Sequence, residues 1–413
     1  MRHVYLLVVL GVVNTVNAVD PNVMAKRVYE FPPGRIVSLT ATPRGDCAFA
    51  ILPASGALRM KIVLNGKTIK VCEGILKSNG IFFLDGGKRF GYVYAERVDG
   101  ELQCRVVVDA VEGPYVKGVR ELHISKNGTR VCYVAPVGGG DRVFVDGVPG
   151  PLFDGIGTNS FRFSPDGRRT MYFAQRKDQW VAVIDGIECG KYTKTGAIAG
   201  FTADSSRAIY VGIDDRKQWW LGINDKRSKL DGVIWPDTLA ISPVGEEFSY
   251  IWYRDDAIGI RDRNGEKKLN VGDVRMAPIR FSPDGGRKCF VAIQKGKCAV
   301  MVDDVLGPEF DQIEDRSIEF SPDGQRLAYF AWKERRAGVA IDGKVDRWFD
   351  EIHENGITFS PDSRRVAYAG RTGKQVQVVV DGKVQATADD LVSDVIFDKE
   401  ANHVAYAVAV ENG

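Results

Sequence analysis

The chain has 413 residues, of which 44% are apolar and 27% are charged, a composition typical of a folded globular protein and unlike that of a disordered one. Its 56 lysine and arginine residues are nearly balanced by 54 aspartate and glutamate residues. A net charge this close to zero argues against a general affinity for nucleic acid or for anionic membrane, so we expect no nucleic-acid partner.

The first 18 residues, MRHVYLLVVLGVVNTVNA, have the pattern of a cleaved secretion signal. The basic residue Arg2 precedes an apolar run from Val4 to Val13, and the small residue Ala18 follows. This run is shorter than the roughly 20 apolar residues of a transmembrane helix, and no later stretch reaches that length. An N-terminal strand or a retained anchor is the alternative. We therefore predict a signal peptide over 1–18, export to the periplasm or the medium, and no transmembrane segment.

A phrase then recurs along the rest of the chain. FSPDGQRLAYFA at 320–331 is preceded by FSPDGGRKCFVA at 281–292 and followed by FSPDSRRVAYAG at 359–370. Equivalent positions recur every 38 to 42 residues, which is typical of a repeat protein. The residues in front of the SPDG equivalents are Ala41, Phe83, Ile124, Phe163, Phe201, Ile241, Phe281, Phe320, Phe359 and Phe397.

Each repeat predicts four short antiparallel strands, as the segment 316–355 illustrates. SIEF is a strand, and Ser321-Pro322-Asp323-Gly324 fits a type I turn, with proline at its second position and glycine at its fourth. RLAYFAW and AGVAIDG are the next two strands. The second of these ends in Asp342-Gly343, which supplies the positive φ of a type I′ hairpin turn. VDRWFDEI is predicted as the fourth strand.

Strands that are apolar on both faces need cover on both faces, and sheets stacked face to face in a ring provide it. The sequence therefore predicts an all-β, β-propeller fold of about ten four-stranded repeats. The last repeat, from Phe397, is incomplete, and the segment 25–31 is expected to complete it. Residues 19–413 are predicted as a single domain. Two five-bladed propellers that divide near residues 235–240 are the alternative.

The FSPDG…LAY phrase in four-strand units resembles the WD40-like repeats of TolB-type periplasmic propellers. It is also similar to the non-catalytic propellers attached to some serine peptidases. The resemblance covers roughly residues 36–411 and implies the propeller fold and a periplasmic setting. It implies no particular function, because such propellers serve many roles. No WD dipeptide ends the repeats, so the hydrogen-bond set of eukaryotic WD40 proteins is not implied.

Motifs for catalysis or for cofactor binding are lacking in the sequence. There is no GxSxG elbow, and the three histidines after the signal, His123, His353 and His403, have no metal-binding spacing. The seven cysteines show no metal pattern and mostly stand in apolar stretches, although one or two disulfides are an alternative in an oxidising compartment. We expect no metal site and no cofactor, and the sequence favours a binding protein over an enzyme.

The loops between the second and third strands combine aromatic and cationic residues, which dominate binding hot spots. Equivalent loops of a propeller project from one face, so we predict a binding surface there for a protein, a glycan or another polymer. The alternative is that the tryptophan rings pack between blades and the charges are solvated tips. The candidates are Trp180, Arg216, Trp219, Trp220, Trp252, Tyr253, Arg254, Trp332, Lys333 and Arg335, with Arg176, Lys295 and Lys374 beside them.

Polar residues in the first strands form a second candidate group. They are His123, Arg162, Arg280 and Glu319. They could line a central channel and hold a small ligand. The alternative is an ion pair between neighbouring blades, for example between Arg280 and Glu319, because buried charges usually pair.

Three functions fit these features. The leading hypothesis is an exported, non-enzymatic propeller that binds a protein or polymer partner through the loop face. The second is a polysaccharide hydrolase or lyase that uses carboxylates such as Asp214 and Asp255, although acidic hairpin tips are ordinary. The third is a structural module of a larger envelope assembly.

Overall fold

The computed structural model describes residues 34–41, 46–53, 59–75, 80–391 and 393–409. It is an all-β protein of the β-propeller class, built from consecutive antiparallel sheets. The chain divides into two compact units, Met1–Lys194 and Thr195–Gly413. The single-domain prediction, the number of blades and the closure of a ring stay predictions. The predicted signal peptide and the segment 25–31 lie outside the described residues.

The described residues of the first unit form four sheets, which we call A to D. Sheet A comprises Gly34–Ala41, Cys47–Pro53, Met60–Leu64 and Lys67–Cys72. Sheet B comprises Gly74–Ile75, Ile81–Leu84, Arg89–Val98, Glu101–Val108 and Val111–Glu112. Sheet C comprises Glu121–Ile124, Val131–Val137, Gly140–Val145 and Val148–Pro149. Sheet D comprises Gly155–Ile156, Arg162–Phe163, Thr170–Arg176, Gln179–Ile184 and Ile187–Tyr192.

Sheets E to I lie in the second unit, apart from Lys194, the first residue of sheet E, which belongs to the first unit. Sheet E comprises Lys194–Phe201, Ala208–Ile213, Trp219–Ile223 and Lys226–Lys229. Sheet F comprises Val233–Ile234, Ala240–Ile241, Phe248–Arg254, Ala257–Asp262 and Gly265–Lys268. Sheet G comprises Asp273–Val274, Arg280–Phe281, Lys288–Gln294, Lys297–Val302 and Val305–Leu306. Sheet H comprises Gln312–Ile313, Glu319–Phe320, Leu327–Lys333, Arg336–Ile341 and Lys344–Phe349. Sheet I comprises Glu351–Phe359, Val366–Thr372, Gln375–Val380 and Lys383–Ala388.

Two short ladders follow sheet I, and helix is confined to single turns. The ladders pair Asp390–Leu391 with Val408–Ala409 and Ile396–Phe397 with Val404–Ala405. The helical turns in the described residues are the 3₁₀ segments Asp85–Gly87, Pro236–Thr238 and Asp315–Ser317. Within the described ranges, none of these helices has the length and apolarity that a membrane crossing requires.

Consecutive sheets within each unit bury both faces of the sheet between them. In the second strand of sheet C, Tyr133 packs with residues of sheet B, whereas Cys132 and Val134 pack with residues of sheet D. The same alternation in sheet H joins Tyr329 to sheet G and Phe330 to sheet I. Each such buried side chain contributes roughly 2 kcal/mol. The burial of both faces that the sequence predicts is therefore confirmed for these sheets.

The SPDG turn forms as the sequence predicts. Gly324 N–H donates to the Ser321 carbonyl at 2.8 Å, which closes the turn. The Ser321 hydroxyl donates to Asp323 Oδ1 at 2.6 Å and accepts from Arg326 N–H at 2.9 Å. The hydroxyl of Ser321 and the N–H of Gln325 hold the pKa of Asp323 below its usual range. The aspartate is thus used by the turn itself.

The Asp-Gly corners between the third and fourth strands adopt the predicted positive φ at both positions. Asp342 and Gly343 have φ of 51° and 78°. Asp109 and Ala110 keep this geometry, with φ of 52° and 64°, although alanine at such a φ is strained. In each corner the first aspartate also accepts a backbone N–H of the second strand, as Asp342 does from Leu327 at 2.9 Å.

The first strand of sheets B, D, F, G and H is split into two short segments, which the sequence did not predict. In sheet H the helical turn Asp315–Ser317 interrupts it, and the second strand loses part of its ladder there. The Ser317 hydroxyl replaces the lost partner, because it accepts from Phe330 N–H at 2.8 Å and donates to the Glu314 carbonyl at 2.7 Å. Thr238 does the same for Ile251 in sheet F at 2.9 Å.

The assignment of VDRWFDEI to one strand was wrong. The fourth strand of sheet H ends at Phe349, and the first strand of sheet I begins at Glu351. Asp350 between them accepts a hydrogen bond from Gly373 N–H at 2.7 Å, so the chain turns at this aspartate. The last four residues of this segment, Phe349 to Ile352, therefore mark the junction between sheets H and I.

Candidate functional site

The turns between the second and third strands of sheets G, H and I form a row of exposed tips in the second unit. We call residues 295–296, 334–335 and 373–374 the tip rim. Asp311, at the junction of sheets G and H, pairs with Lys297 beside the tip of sheet G. Asp311 also accepts a hydrogen bond of 2.8 Å from Glu334 N–H at the tip of sheet H. The junction aspartates therefore hold neighbouring tips at one edge of the stacked sheets.

Charged residues occupy backbone positions in the tip rim that favour glycine. Glu334 and Arg335 have φ of 51° and 65°, and Lys295 has φ of 49°. Each such residue costs of order 1 kcal/mol relative to glycine. Since glycine occurs at the equivalent positions Gly296 and Gly373, the charged side chains are not required by the turn.

The cations in the tip rim, and Lys333 directly beside it, are accessible and form no ion pair in the described residues. Lys295, Lys333, Arg335 and Lys374 are all exposed, and none forms an ion pair within the part of the chain that the structure describes. The pKa of Asp311 lies below its usual range, chiefly because of the hydrogen bond from Lys297. Anionic junctions thus stand beside cationic tips.

Trp252 is buried, with 6% of its surface exposed, and packs between sheets E and F. Its indole lies over Gly259, where a methyl group would overlap the ring. The guanidinium of Arg254 lies 4.6 Å from the ring centre. Trp252 Nε1 has no hydrogen-bond partner in the described residues. This ring serves the packing of the sheets.

Trp219 and Trp220 are half-buried in the third strand of sheet E. Trp219 packs against the same cluster as Trp252. Trp220 Nε1 donates to Asp214 Oδ2 at 2.9 Å, and the guanidinium of Arg227 lies 4.6 Å from its ring. Both rings are therefore engaged in contacts within the second unit and remain partly exposed.

The other predicted aromatic residues are more dispersed. Trp332 is half-buried against the cluster of sheets H and I. Tyr253 is 38% exposed, and its hydroxyl donates to Asp256 Oδ1 at 3.3 Å. Trp180 is half-buried in sheet D of the first unit, opposite Gln175 and Tyr192.

The arginines predicted to bind a partner differ in their exposure and in whether they form ion pairs. Arg254 is half-buried and pairs with Asp231 at 3.0 Å and with Glu266 at 3.7 Å. Arg216 is exposed at the five-residue turn of sheet E, where its backbone N–H donates to Asp214 Oδ1 at 2.9 Å. Arg176 of the first unit pairs with Glu188 at 2.5 Å.

Two of the first-strand candidates lie in the first unit. His123 Nε2 is 3.0 Å from Glu121 Oε2, and the ring of His123 lies 5.3 Å from that of Phe161. Arg162 is exposed and donates to the carbonyls of Asn159 and Phe161 at 2.7 and 2.8 Å. Both are satisfied by groups of their own or the adjacent sheet.

The other two, Arg280 and Glu319, lie on neighbouring first strands of sheets G and H. They form no ion pair within the described residues. Arg280 donates instead to the carbonyls of Asp315 and Arg316, at 3.1 and 3.3 Å. Glu319 is exposed, and the protein beside it raises the pKa of its carboxyl, although the charge of Arg280 lowers it in part.

Asp214, one of the two carboxylates considered for glycan cleavage, is used locally. Asp214 accepts the Trp220 indole N–H and the backbone N–H groups of Arg216 and Gln218, and the bond from Trp220 is the main reason that its pKa is lowered. A low pKa opposes the role of a general acid. No group of three or more potential metal ligands occurs among the residues that the structure describes.

No family model matches the chain, and no curated protein matches its sequence. Solved structures with related sheets include a eukaryotic initiation factor, at 14% identity and a TM-score of 0.42, covering 76% of this chain and 89% of that one. The β-propeller domain of the Trilobed protease from Pyrococcus furiosus has 12% identity and a TM-score of 0.30, covering 65% and 95%. TolB from Acinetobacter baumannii has 16% identity and a TM-score of 0.26, covering 76% and 77%. Because these TM-scores are below 0.5, the fold assignment rests on the sheets and clusters of this chain.

Proposed function

We propose that the chain is an exported, non-enzymatic propeller that binds a protein partner with an acidic surface through the tip rim. The observation that carries this proposal is the set of exposed, unpaired cations at three consecutive tips, Lys295, Lys333, Arg335 and Lys374. Cations in this setting attract an acidic partner and raise its association rate. The backbone strain at Glu334 and Arg335 supports a use for these side chains beyond the turn.

A folded protein fits this surface better than a uniform polyanion. The junction residues Asp311 and Asp350 lie beside the cationic tips. A polymer with continuous negative charge would be repelled by these aspartates, whereas a protein surface can place opposite charges against each. Half-buried Trp332 supplies apolar area beside the tip of sheet H.

The N-terminal sequence supports export. Residues 1–18 carry the secretion pattern, and the repeats resemble those of TolB-type periplasmic propellers. On this proposal the mature chain begins at Val19. Mass spectrometry of the protein from its native cells tests this point, and a mature form that retains Met1 would contradict it.

A charge-reversal triple variant tests the binding surface. Lys333→Glu, Arg335→Glu and Lys374→Glu together should weaken capture of the partner from envelope extract at least tenfold, which corresponds to about 1.4 kcal/mol. Binding by the wild-type chain should weaken as salt is added.

The matched control is Lys344→Glu, Arg364→Glu and Lys383→Glu. These residues are equally exposed but lie at the turns of the opposite edge of sheets H and I, and the change in charge is the same. The control should keep the partner. Equal capture by both triple variants, or the absence of any partner that responds to salt, would overturn the proposal.

A further inference from the structure

A recess of about 350 Å³ lies between the first strands of sheets G and H, within the second unit. Its size is near the lower end of the range for small-ligand sites. The recess is lined by apolar side chains and by two charged residues, Arg280 on the strand of sheet G and Glu319 on the strand of sheet H. The walls include Pro278, Phe281, Pro283 and Phe320.

Arg280 is held in place by one edge of its guanidinium. Nε and Nη2 donate to the Asp315 carbonyl at 3.3 and 3.1 Å, and Nη2 also donates to the Arg316 carbonyl at 3.3 Å. Nη1 has no hydrogen-bond partner among the residues that the structure describes. A guanidinium that is fixed in this way can donate from Nη1 to a carboxylate.

Glu319 faces the same recess without a bound partner. Its carboxylate makes no hydrogen bond or ion pair in the described part of the chain, and Arg280 is the only charge that acts on it appreciably. Glu319 is exposed at the recess, and the protein beside it raises the pKa of its carboxyl. An amine placed there would pair with a carboxylate that has no other partner in the described residues.

We infer that this recess binds a small zwitterion with an apolar side chain, of the class of leucine or another apolar α-amino acid. The ligand's carboxylate would accept from Nη1 of Arg280, and its ammonium group would meet Glu319. Its side chain would lie against Phe281 and the two prolines. A simple anion would be repelled by Glu319 and a simple amine by Arg280, so the pair selects a molecule with both charges.

Calorimetric titration with three probes tests this site: leucine, isocaproate, which lacks the amine, and isoamylamine, which lacks the carboxylate. The wild-type chain should bind leucine in the millimolar range and more tightly than either of the other probes. Glu319→Gln keeps the size of the side chain and should weaken leucine binding at least fivefold. The same variant should improve binding of isocaproate, because the repulsion is removed.

Arg162→Gln is the control, because Arg162 is exposed in the equivalent strand of sheet D and does not line the recess. This variant should leave leucine binding unchanged. Arg280→Gln should abolish it, with folding checked by circular dichroism. No saturable leucine binding at tens of millimolar, or equal binding by the wild-type chain and Glu319→Gln, would overturn the inference. Neither result bears on the tip rim.

Discussion

Arg326 and Asp342 lie at the two ends of one hairpin of sheet H and are joined by a hydrogen bond of 3.0 Å from Nε to Oδ2. The same guanidinium reaches sheet I, where Nη1 donates to the Arg364 carbonyl at 2.8 Å and the group lies 5.5 Å from the Phe359 ring centre. The Arg326 side chain thus joins the two ends of its own hairpin and also connects sheet H to sheet I. The same arrangement recurs at Arg130, Arg287 and Arg365.

Replacing Arg326 by alanine should therefore destabilise the second unit more than the loss of an ordinary surface ion pair. The variant leaves Asp342 and the Arg364 carbonyl without their shared donor, and we expect a cost of about 1–3 kcal/mol. Arg326→Lys should recover only part of this, because an ammonium group cannot serve both partners in the same geometry. Guanidinium chloride unfolding, followed by tryptophan fluorescence, measures the difference.

Arg168→Ala is the control for this experiment. Its side chain is 87% exposed and stands 3.9 Å from Asp166, so its loss should change the unfolding free energy by less than about 0.5 kcal/mol. If Arg326→Ala had the same unfolding midpoint as the wild-type chain, this would show that Arg326 does not stabilise the fold as a bridge.

The sequence could predict the SPDG turn and the Asp-Gly corner, because each depends on residues within four positions of each other. Arg326 and Asp342 are 16 positions apart in the sequence, and the Arg364 carbonyl of sheet I that Arg326 also contacts is 38 positions away. Such contacts are fixed by register and packing, which a single repeat does not disclose. A signal was nevertheless present: in sheet F the arginine is replaced by Glu247, and the residue 16 positions later is Arg263. The charges are exchanged at the same spacing.

The aromatic residues show which feature of the candidate site could not be predicted from the sequence, namely whether each ring is exposed or buried. Tryptophan beside a hairpin is compatible with either an exposed ring or a ring packed between sheets. For Trp252 the outcome depends on Gly259 in the adjacent strand, because the missing side chain leaves room for the indole. The cations at the tips were easier to predict, since long charged side chains at a turn remain in solvent in almost any fold.

The exchanged pair in sheet F predicts a charge-swap rescue. Glu247→Arg alone would place two arginines at a site where Glu247 and Arg263 now stand 3.8 Å apart, and should cost about 1 kcal/mol. Adding Arg263→Asp should restore most of this loss, because it recreates the pair found in the other sheets. A double-mutant cycle in denaturant measures the coupling. Additive effects of the two changes would show that the pair does not interact.

Ala110 predicts a stabilising substitution. It occupies the second position of a type I′ corner with φ of 64°, where glycine stands in sheets C, D, H and I. Ala110→Gly relieves the strain and should raise the unfolding free energy by about 0.5–1 kcal/mol, despite the greater entropy of unfolded glycine. Gly147→Ala is the reciprocal test, since a methyl group there meets nothing within 4 Å and its cost comes from φ alone. Thermal unfolding should move in opposite directions for the two variants, and a shift of the same sign would contradict this explanation.

Asp262 and Lys288 predict how stability depends on pH. Lys288 of sheet G lies 2.8 Å from Asp262 of sheet F, whose side chain is 2% exposed. Burial opposes ionisation of Asp262, but hydrogen bonds from Lys288 and from the Asn264 backbone N–H, together with the charge of Lys288, outweigh it and hold the pKa of Asp262 below its ordinary value of 3.8. Because the folded pKa lies below the unfolded one, the ionised carboxylate stabilises the fold above about pH 4, and this contribution is lost as the pH falls through the folded pKa.

Lys288→Met leaves a buried carboxylate unpaired and should cost about 3 kcal/mol at pH 7, and less at acid pH, where Asp262 takes up a proton. Asp85→Asn removes an exposed partner of Lys88 and should change stability little at either pH. A cost for Lys288→Met that does not decrease between pH 7 and pH 3 would show that the buried charge is not its cause.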